Sequence, residues 1–188
     1  MQRTRQLLFT AFRDIARQKR FAAITIQDIT DRANVNRGTF YLHFADKYML
    51  LDAFVREDFQ RVLATSLPAT TCWDRQSLHL LICTLLEHFE KKYQHQKHIP
   101  VAIAPLIEQA IHGELTTQLL CWLQQGAGHQ ANRQIPLETI ARITGWAIFG
   151  PIIQWSQEES IISVEQMSNA ILLIVLDGVE RLVPDALI

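Results

Sequence analysis

Seven consecutive residues from Arg37 to His43 bring together hydrogen-bond donors of several shapes. The run is RGTFYLH, and at helical spacing Phe40 falls on one side while Arg37, Thr39 and Tyr41 fall on the others. A guanidinium can pair with guanine through two hydrogen bonds, and hydroxyl groups can bind bases or phosphates. A helix that serves only solubility more commonly carries Glu and Lys, so this decoration is typical of a helix that enters the major groove of DNA.

Local signals place this run in the second helix of a closely spaced pair. Thr25 and Asp28 form a capping-box pattern at the start of a predicted helix over residues 26–33. Asn36 is a favourable N-cap for the next helix, which we expect over residues 37–44. Such a pair can be a plain helical hairpin, but the tight turn ANVN together with the polar decoration favours a helix-turn-helix.

Charge is distributed unevenly along the chain. Residues 1–47 hold nine Lys and Arg against four Asp, a net charge of +5, so the remaining residues carry −6. A basic N-terminal segment on an acidic body indicates a module that binds a polyanion. On charge alone, a solvated basic helix face is an equally good explanation.

The segment ITIQDITDRANVNRGTFYLHFADKYMLL resembles the DNA-binding signature of the tetracycline-repressor (TetR) family, and the resemblance covers about the first 65 residues. Asn34 departs from the Gly that is common in the family, but Asn also tolerates the left-handed conformation that ends a helix. The resemblance implies a non-enzymatic, dimeric transcription repressor that reads a pseudo-palindromic operator. It further implies a helix-turn-helix domain over residues 1–46 and a helical regulatory and dimerisation domain over residues 47–188.

The resemblance also implies which residues meet DNA. Arg37, Gly38 and Thr39 would approach base edges, while Tyr41 and Lys47 would contact phosphates. Unpaired N–H groups at the start of the second helix would favour a phosphate as well. An alternative for Tyr41 is a half-buried ring packed on the first helix. The predicted DNA-binding residues are Thr25, Gln27, Asn36, Arg37, Gly38, Thr39, Tyr41, Leu42, His43 and Lys47.

The rest of the chain has a helical hydrophobic pattern, and no alternating strand pattern competes with it. We therefore expect an all-α fold of about nine helices. Gly113 is expected to separate two helices, and Pro105 and Pro151 to kink the helices that contain them. Helices are predicted over residues 3–19, 26–33, 37–44, 47–67, 74–94, 101–111, 115–125, 137–157 and 164–182.

The last two predicted helices are too apolar around their circumference to have one face in water, so a second buried surface is needed. A two-fold dimer would provide it and would present paired recognition helices to DNA. Gly145 and Gly150 would allow two helices to approach closely. The predicted interface residues are Ile140, Thr144, Ala147, Ile148, Trp155, Ile171, Leu172, Val175 and Val179.

Aromatic residues are frequent in the C-terminal domain, where the resemblance implies a pocket for a small-molecule effector of unknown identity. Aromatic side chains can line such a pocket, but for any single one a place in the core is the favoured role. The candidate pocket residues are Phe89, Tyr93, Trp122, Trp146 and Phe149.

Chemistry other than binding is weakly supported. His88, His95 and His98 could share a helical face, but no Glu or Cys completes a ligand set, so we expect no metal or cofactor. Cys83 and His79 share a helix face, yet nothing orients the imidazole as a base. Three cysteines without CxxC spacing fit reduced thiols in the cytoplasm, and no apolar run is long enough to predict a membrane span.

Two binding functions stay open at this point. The first is a repressor that a small molecule in the C-terminal domain releases from its operator. The second is a constitutive or partner-controlled DNA-binding protein whose C-terminal domain only dimerises, which a filled core would favour. An enzyme built on a helical bundle is disfavoured because no acid, base and nucleophile are assembled in the sequence.

Overall fold

The computed structural model describes residues 2–95, 103–126, 135–158 and 162–182. In these ranges all regular secondary structure is helical, which confirms the predicted all-α class. Eight α-helices and one 3₁₀ turn lie within them: α1 Gln2–Ala16, the 3₁₀ turn Phe21–Ala23, α2 Ile26–Ala33, α3 Arg37–Tyr41, α4 Lys47–Ser66, α5 Arg75–His95, α6 Ala104–Gly126, α7 Leu137–Gln157 and α8 Val164–Leu182.

The core of the N-terminal region is built from aromatic rings that α1 supplies at helical spacing. Leu8, Phe9 and Phe12 are buried on one face of α1. The Phe9 ring lies 5.8 Å from that of Phe44, and the Phe12 ring lies edge-on to Phe54 at 5.3 Å. Rings at these separations attract each other beyond the burial of their area. Helix α1 therefore packs against both α4 and the residues that follow α3.

The chain divides into two compact units, and α4 and α6 each contribute to both. The first unit comprises residues 2–58 and 103–110, and the second comprises the other described residues. The division falls between Asp58 and Phe59, inside α4, whereas the sequence places the functional boundary before Lys47. Because α4 is one helix of 20 residues, the backbone is continuous from the first unit into the second.

In the second unit, α5 packs against α7 and α8, which also pack against each other. Leu78, Ile82 and Leu85 recur at helical spacing on the buried side of α5. The chain between α7 and α8 is held by the Trp155 indole, whose N–H donates to the Ile162 carbonyl at 2.8 Å. Within the described ranges, no helix is both long enough and apolar enough to cross a membrane.

Helix α6 corrects two predictions. A single helix spans the segment expected to hold two, so Gly113 does not break it. An interior Gly costs only about 1 kcal/mol relative to Ala, and the buried neighbours Ile111 and Leu115 offset that cost. Pro105 is the second residue of α6, where a missing N–H is tolerated because first-turn N–H groups have no partner in the helix. Pro151 does lie inside α7, whose bounds agree with the prediction.

Candidate nucleic-acid interface and C-terminal surface

Helix α2 begins with the predicted capping box. The Thr25 hydroxyl accepts from the Asp28 N–H at 3.0 Å, and the Asp28 carboxylate accepts from the Thr25 N–H at 2.9 Å. Lys19 Nζ donates to the same carboxylate at 2.8 Å. The Lys19 hydrogen bond, followed by those from Thr25, lowers the pKa of Asp28 to about 2. The carboxylate is therefore ionised and paired with a cation, which limits its repulsion of a phosphate at this helix start.

The turn between α2 and α3 has the conformation that the sequence predicts. Asn34 has φ 53° and ψ 48°, the only left-handed non-glycine residue in the described ranges. The Val35 N–H reaches back to the Thr30 carbonyl at 3.0 Å, which closes the end of α2. Asn in place of the family's Gly therefore keeps the turn intact.

Helix α3 is capped by Asn36, whose Oδ1 accepts from the Thr39 N–H at 2.7 Å and from the Thr39 hydroxyl at 3.0 Å. A Cβ on Gly38 would lie 3.2 Å from the same oxygen. Asn36 thus has the N-cap role predicted for it, and Gly38 has a local packing role in addition to its predicted DNA contact. The helix ends at Tyr41, three residues earlier than predicted, although Phe44 N–H still donates to the Phe40 carbonyl.

The outer side of α3 and the residues after it form what we call the recognition face, made of Arg37, Thr39, Tyr41, Leu42 and His43. Arg37, Tyr41 and Leu42 are exposed, and Thr39 and His43 are partly so, whereas Phe40 and Phe44 lie in the core. Arg37 Nη2 donates to the Tyr41 hydroxyl at 3.5 Å. Tyr41 is half exposed, which favours the predicted outward role over a ring packed on α1. A guanidinium, hydroxyls, an imidazole and an apolar tip therefore face outward together.

Two other predicted contacts lie beside this face. Thr25 and Gln27 are exposed in the first turn of α2, and Gln27 Nε2 donates to Asp31 at 2.6 Å. Lys47, predicted to contact phosphate, directs its ammonium at backbone carbonyls of the chain before α2 in this DNA-free structure. Asp46 caps α4, because its Oδ1 accepts from the backbone N–H groups of residues 48 and 49, each at 2.8 Å.

Most residues predicted to form the dimer interface are buried within the single chain. Eight of its nine residues lie in the core of a single chain, and only Ala147 is partly exposed. Gly145 serves packing within the chain too, because a Cβ there would come within 3.1 Å of His112 and Thr116 on α6. The buried eight are Ile140, Thr144, Ile148, Trp155, Ile171, Leu172, Val175 and Val179.

On the same two helices, large apolar side chains that lie next in sequence to the buried residues are exposed. Ile143 and Trp146 on α7 are 61% and 49% exposed, and Leu173 and Ile174 on α8 are 57% and 70% exposed. We call these four residues the apolar stripe. In the sequence, apolar residues all around both helices indicate a second buried surface. They do not indicate which residues face the core and which face that second surface.

The candidate pocket residues that the structure describes differ in their surroundings. Phe89 and Phe149 are buried edge to face at 5.7 Å, which is core packing. Trp146 is half exposed and stacks on His112 with ring centroids 4.1 Å apart. Burial lowers the pKa of His112. Trp122 is buried in the wall of an open groove, and the side chain of Tyr93 lies outside the described residues.

That groove, of about 540 Å³, is bounded by the second half of α4, the chain after it, and α6. Gln60 Nε2 donates to Glu114 at 2.6 Å across it. Its lining residues are Gln60, Leu63, Ala64, Leu67, Pro68, Ala69, Thr71, Glu114, Thr117, Gln118, Cys121, Trp122 and Gln125.

Histidine and cysteine residues do not gather into a metal-binding group in the described part of the chain. No group of three His, Cys, Asp or Glu there could hold a metal ion. The side chain of His95 and all of His98 lie outside the described residues. Cys83 Sγ is 3.7 Å from His79 Nε2, which is also 3.3 Å from the Ser168 hydroxyl. Ser168 donates to a backbone carbonyl of its own helix, so it is not poised as a nucleophile.

Comparison with known proteins agrees with this geometry. Residues 9–54 match the family model described as bacterial regulatory proteins, tetR family. Over 62 residues the chain is 40% identical to an uncharacterized HTH-type transcriptional regulator, YxbF of Bacillus subtilis (strain 168), which covers 32% of this chain and 16% of that protein. The chain thus spans about a sixth of the length of this curated relative.

Solved structures extend the similarity of fold to nearly the whole chain. A TetR transcriptional regulator from Streptococcus agalactiae 2603V has a TM-score of 0.60 at 21% identity, covering 93% of this chain and 94% of that one. The TetR-family repressor FadR of Thermus thermophilus, solved with lauroyl-CoA, has a TM-score of 0.54 at 20% identity, covering 93% and 94%. The helix-turn-helix of this chain therefore matches the tetR-family model over residues 9–54, and the fold of nearly the whole chain is similar to that of solved TetR-family regulators.

Proposed function

We propose that the protein is a homodimeric repressor that reads a pseudo-palindromic operator with α3. The observation that carries this proposal is the recognition face, on which Arg37 and Thr39 project outward from a helix held by the Asn36 cap. The Asn36 cap and the buried Phe40 ring hold α3 in place in the absence of DNA. Little conformational entropy is therefore lost from α3 on binding. Arg37 is assigned to guanine, Leu42 to a thymine methyl, and Tyr41 to phosphate.

A two-fold dimer is supported by the apolar stripe. Exposed Ile, Trp and Leu side chains on two helices that pack against each other are typical of an interaction surface. A dimer through α7 and α8 would cover them and would present two copies of α3 to successive major grooves, about 34 to 36 Å apart. In the proposed dimer interface, Ile143, Trp146, Leu173 and Ile174 take the place of the eight buried residues. Ala147 stays at the edge of that interface.

The test is selection of binding sites from a random duplex library by the purified full-length chain. We expect an inverted repeat whose half-site centres lie about one helical turn, or a multiple of it, apart. Sedimentation of the same preparation should give a dimer in the absence of DNA. Enrichment of single half-sites, or of no sequence at all, would refute operator recognition by a dimer.

Release by a small molecule is supported by the groove along α4 and α6. Its lining mixes apolar side chains with three glutamines, and its charged member is Glu114. Such a lining favours a neutral or cationic molecule with hydrogen-bonding groups over an anion such as the acyl-CoA bound by the Thermus FadR. Thermal-shift screening followed by operator competition tests this. Stabilisation by lauroyl-CoA alone would contradict the assigned class.

A second candidate, a regulator whose C-terminal domain only dimerises, is favoured by the packing of Phe89 on Phe149, since both rings fill core where a pocket was expected. The same screen separates the two functions. Under this alternative, no compound changes operator affinity, whereas an effector must bind the DNA-incompetent state more tightly and lose affinity in the presence of operator by the same factor.

A further inference from the structure

The ammonium of Lys47 sits among three backbone carbonyls. Its Nζ donates to the carbonyl oxygens of Phe21 at 3.1 Å, Ala22 at 3.2 Å and Ile24 at 2.8 Å. The same Nζ lies 4.9 Å from the centroid of the Phe21 ring, within the range of a cation–π contact. A lysine ammonium has three N–H donors, and these three oxygens account for all of them.

These carbonyls belong to the 3₁₀ turn and to the residue directly before the N-cap of α2. The turn ends with its carbonyls toward the cation, which is the favourable direction for a positive charge. Ile24 is buried and Thr25 follows it, so the hydrogen bond to Ile24 ties the start of α2 to the first residue of α4. Lys47 thereby holds the first-turn N–H groups of α2 in place relative to α4.

We propose that Lys47 is a positioning residue for DNA binding and does not contact phosphate itself. The inference rests on the proposed DNA-binding function. To reach a phosphate, the ammonium would have to give up its part-buried hydrogen bonds to the Phe21 and Ile24 carbonyls. The Phe21 carbonyl would keep the Ile24 N–H as a donor, so the larger cost falls on the Ile24 carbonyl. In this role, Lys47 holds the first turn of α2 in place through the Ile24 carbonyl, and the N–H groups of Ile26 and Gln27 in that turn are left for a phosphate.

The two roles predict different salt dependence. A direct phosphate contact releases a counterion. Its loss therefore makes the negative slope of log K against log salt less steep by about 0.9. A positioning residue releases none, so its loss weakens binding while the slope stays unchanged. The two roles also differ for arginine. A planar guanidinium replaces an ammonium on a phosphate, but it cannot direct three N–H groups at carbonyls that converge on one point.

The experiment measures operator affinity by fluorescence anisotropy at several salt concentrations, well below the Tm of each variant. We expect Lys47→Met and Lys47→Arg to weaken binding by similar amounts, about tenfold, with the wild-type salt slope. The matched control is Arg37→Met, whose side chain lies on the recognition face and whose loss should change the slope or the base preference.

Hydrogen exchange without DNA gives a second readout that does not depend on affinity. The amides of residues 24–27 should exchange faster in Lys47→Met than in wild type. A slope lowered by about 0.9 in Lys47→Met, with wild-type binding restored in Lys47→Arg, would overturn the inference in favour of phosphate contact. Wild-type affinity in both variants would make Lys47 irrelevant to binding. Failure of wild type to bind any duplex would instead refute the proposed function.

Discussion

The recognition face on α3 and the apolar stripe on α7 and α8 are both left open by a single chain, but they differ in chemistry. The recognition face offers a guanidinium, hydroxyls and an imidazole, whereas the stripe offers Ile, Trp and Leu side chains. Polar donors exposed on a capped helix suit the phosphates and base edges of DNA. Large apolar side chains exposed on packed helices suit the same surface of a second copy.

The comparison also concerns how each surface is made. The recognition face depends on caps and turns formed within a short stretch, from Thr25 to Asn36. The stripe depends on which side of α7 and α8 the rest of the second unit covers. A local change can therefore alter the first surface, while the second responds to the register of long helices. Four predictions test this distinction, beginning with the largest effect.

Ile174→Glu should convert the protein to a folded monomer that has lost operator binding. A buried charge at the centre of an interface costs roughly 2 kcal/mol or more, and both half-sites need the dimer. The matched control is Val175→Ala, one residue along α8 but inside the core. That variant should lose about 2 kcal/mol of unfolding free energy and remain a dimer. Sedimentation measures the oligomeric state of each variant, and urea unfolding measures its stability. A dimeric Ile174→Glu together with a monomeric Val175→Ala would show that the buried residues form the interface.

Arg37→Ala should weaken operator binding by about 1 to 3 kcal/mol and relax base preference at one position of each half-site. The reason is that Arg37 lies in the first turn of α3 with its guanidinium outward. Titration against single-base operator variants checks it. Equal loss on every sequence would show that the residue binds backbone and not a base.

Asn36→Ala should lower the unfolding free energy by about 1 kcal/mol, because the Thr39 N–H loses its cap. Asn36→Ser retains a side-chain oxygen and should recover most of that loss. Base preference should be the same in both variants once binding is measured on folded protein. A change of preferred base in Asn36→Ser would mean that Asn36 meets DNA directly.

The smallest effect at neutral pH concerns Asp28, whose pKa is lowered from 3.8 to about 2 by Lys19 and Thr25. Because its pKa is lower in the folded state, its contribution to stability is complete above about pH 4 and is lost as the pH falls through about 2. Lys19→Met removes the largest cause and should move this loss to higher pH. Urea unfolding across pH 2 to 5 measures the shift, and identical curves for wild type and Lys19→Met would exclude the pair as its origin.

Much of the helix-turn-helix was predictable from the sequence. The Thr25–Asp28 capping box, the left-handed Asn34 and the Asn36 cap are all present, because each connects groups no more than a few residues apart. The end of α3 was placed too late, since Phe44 faces the core without belonging to the helix. Element ends depend on such packing more than element type does.

Lys47 shows where prediction from sequence stops. Its residue type and place suggested a phosphate contact, but its partners lie 23 to 26 residues earlier in the chain. No periodicity links a lysine to carbonyls at that separation. Gly113 is a similar case, because the packing of α6 decided that the helix should continue through it.

The sequence by itself determined the all-α class, the N-terminal module and the side chains of its recognition face, because caps, turns and 3.6-residue periodicity act over short distances. It also indicated that α7 and α8 need a second buried surface. Only the tertiary structure decided which register each helix turns inward, placing Val175 in the core and leaving Ile174 exposed. In the unbroken apolar run of residues 170–176, periodicity does not distinguish those two sides, so the helices packed against α8 decide which side is buried.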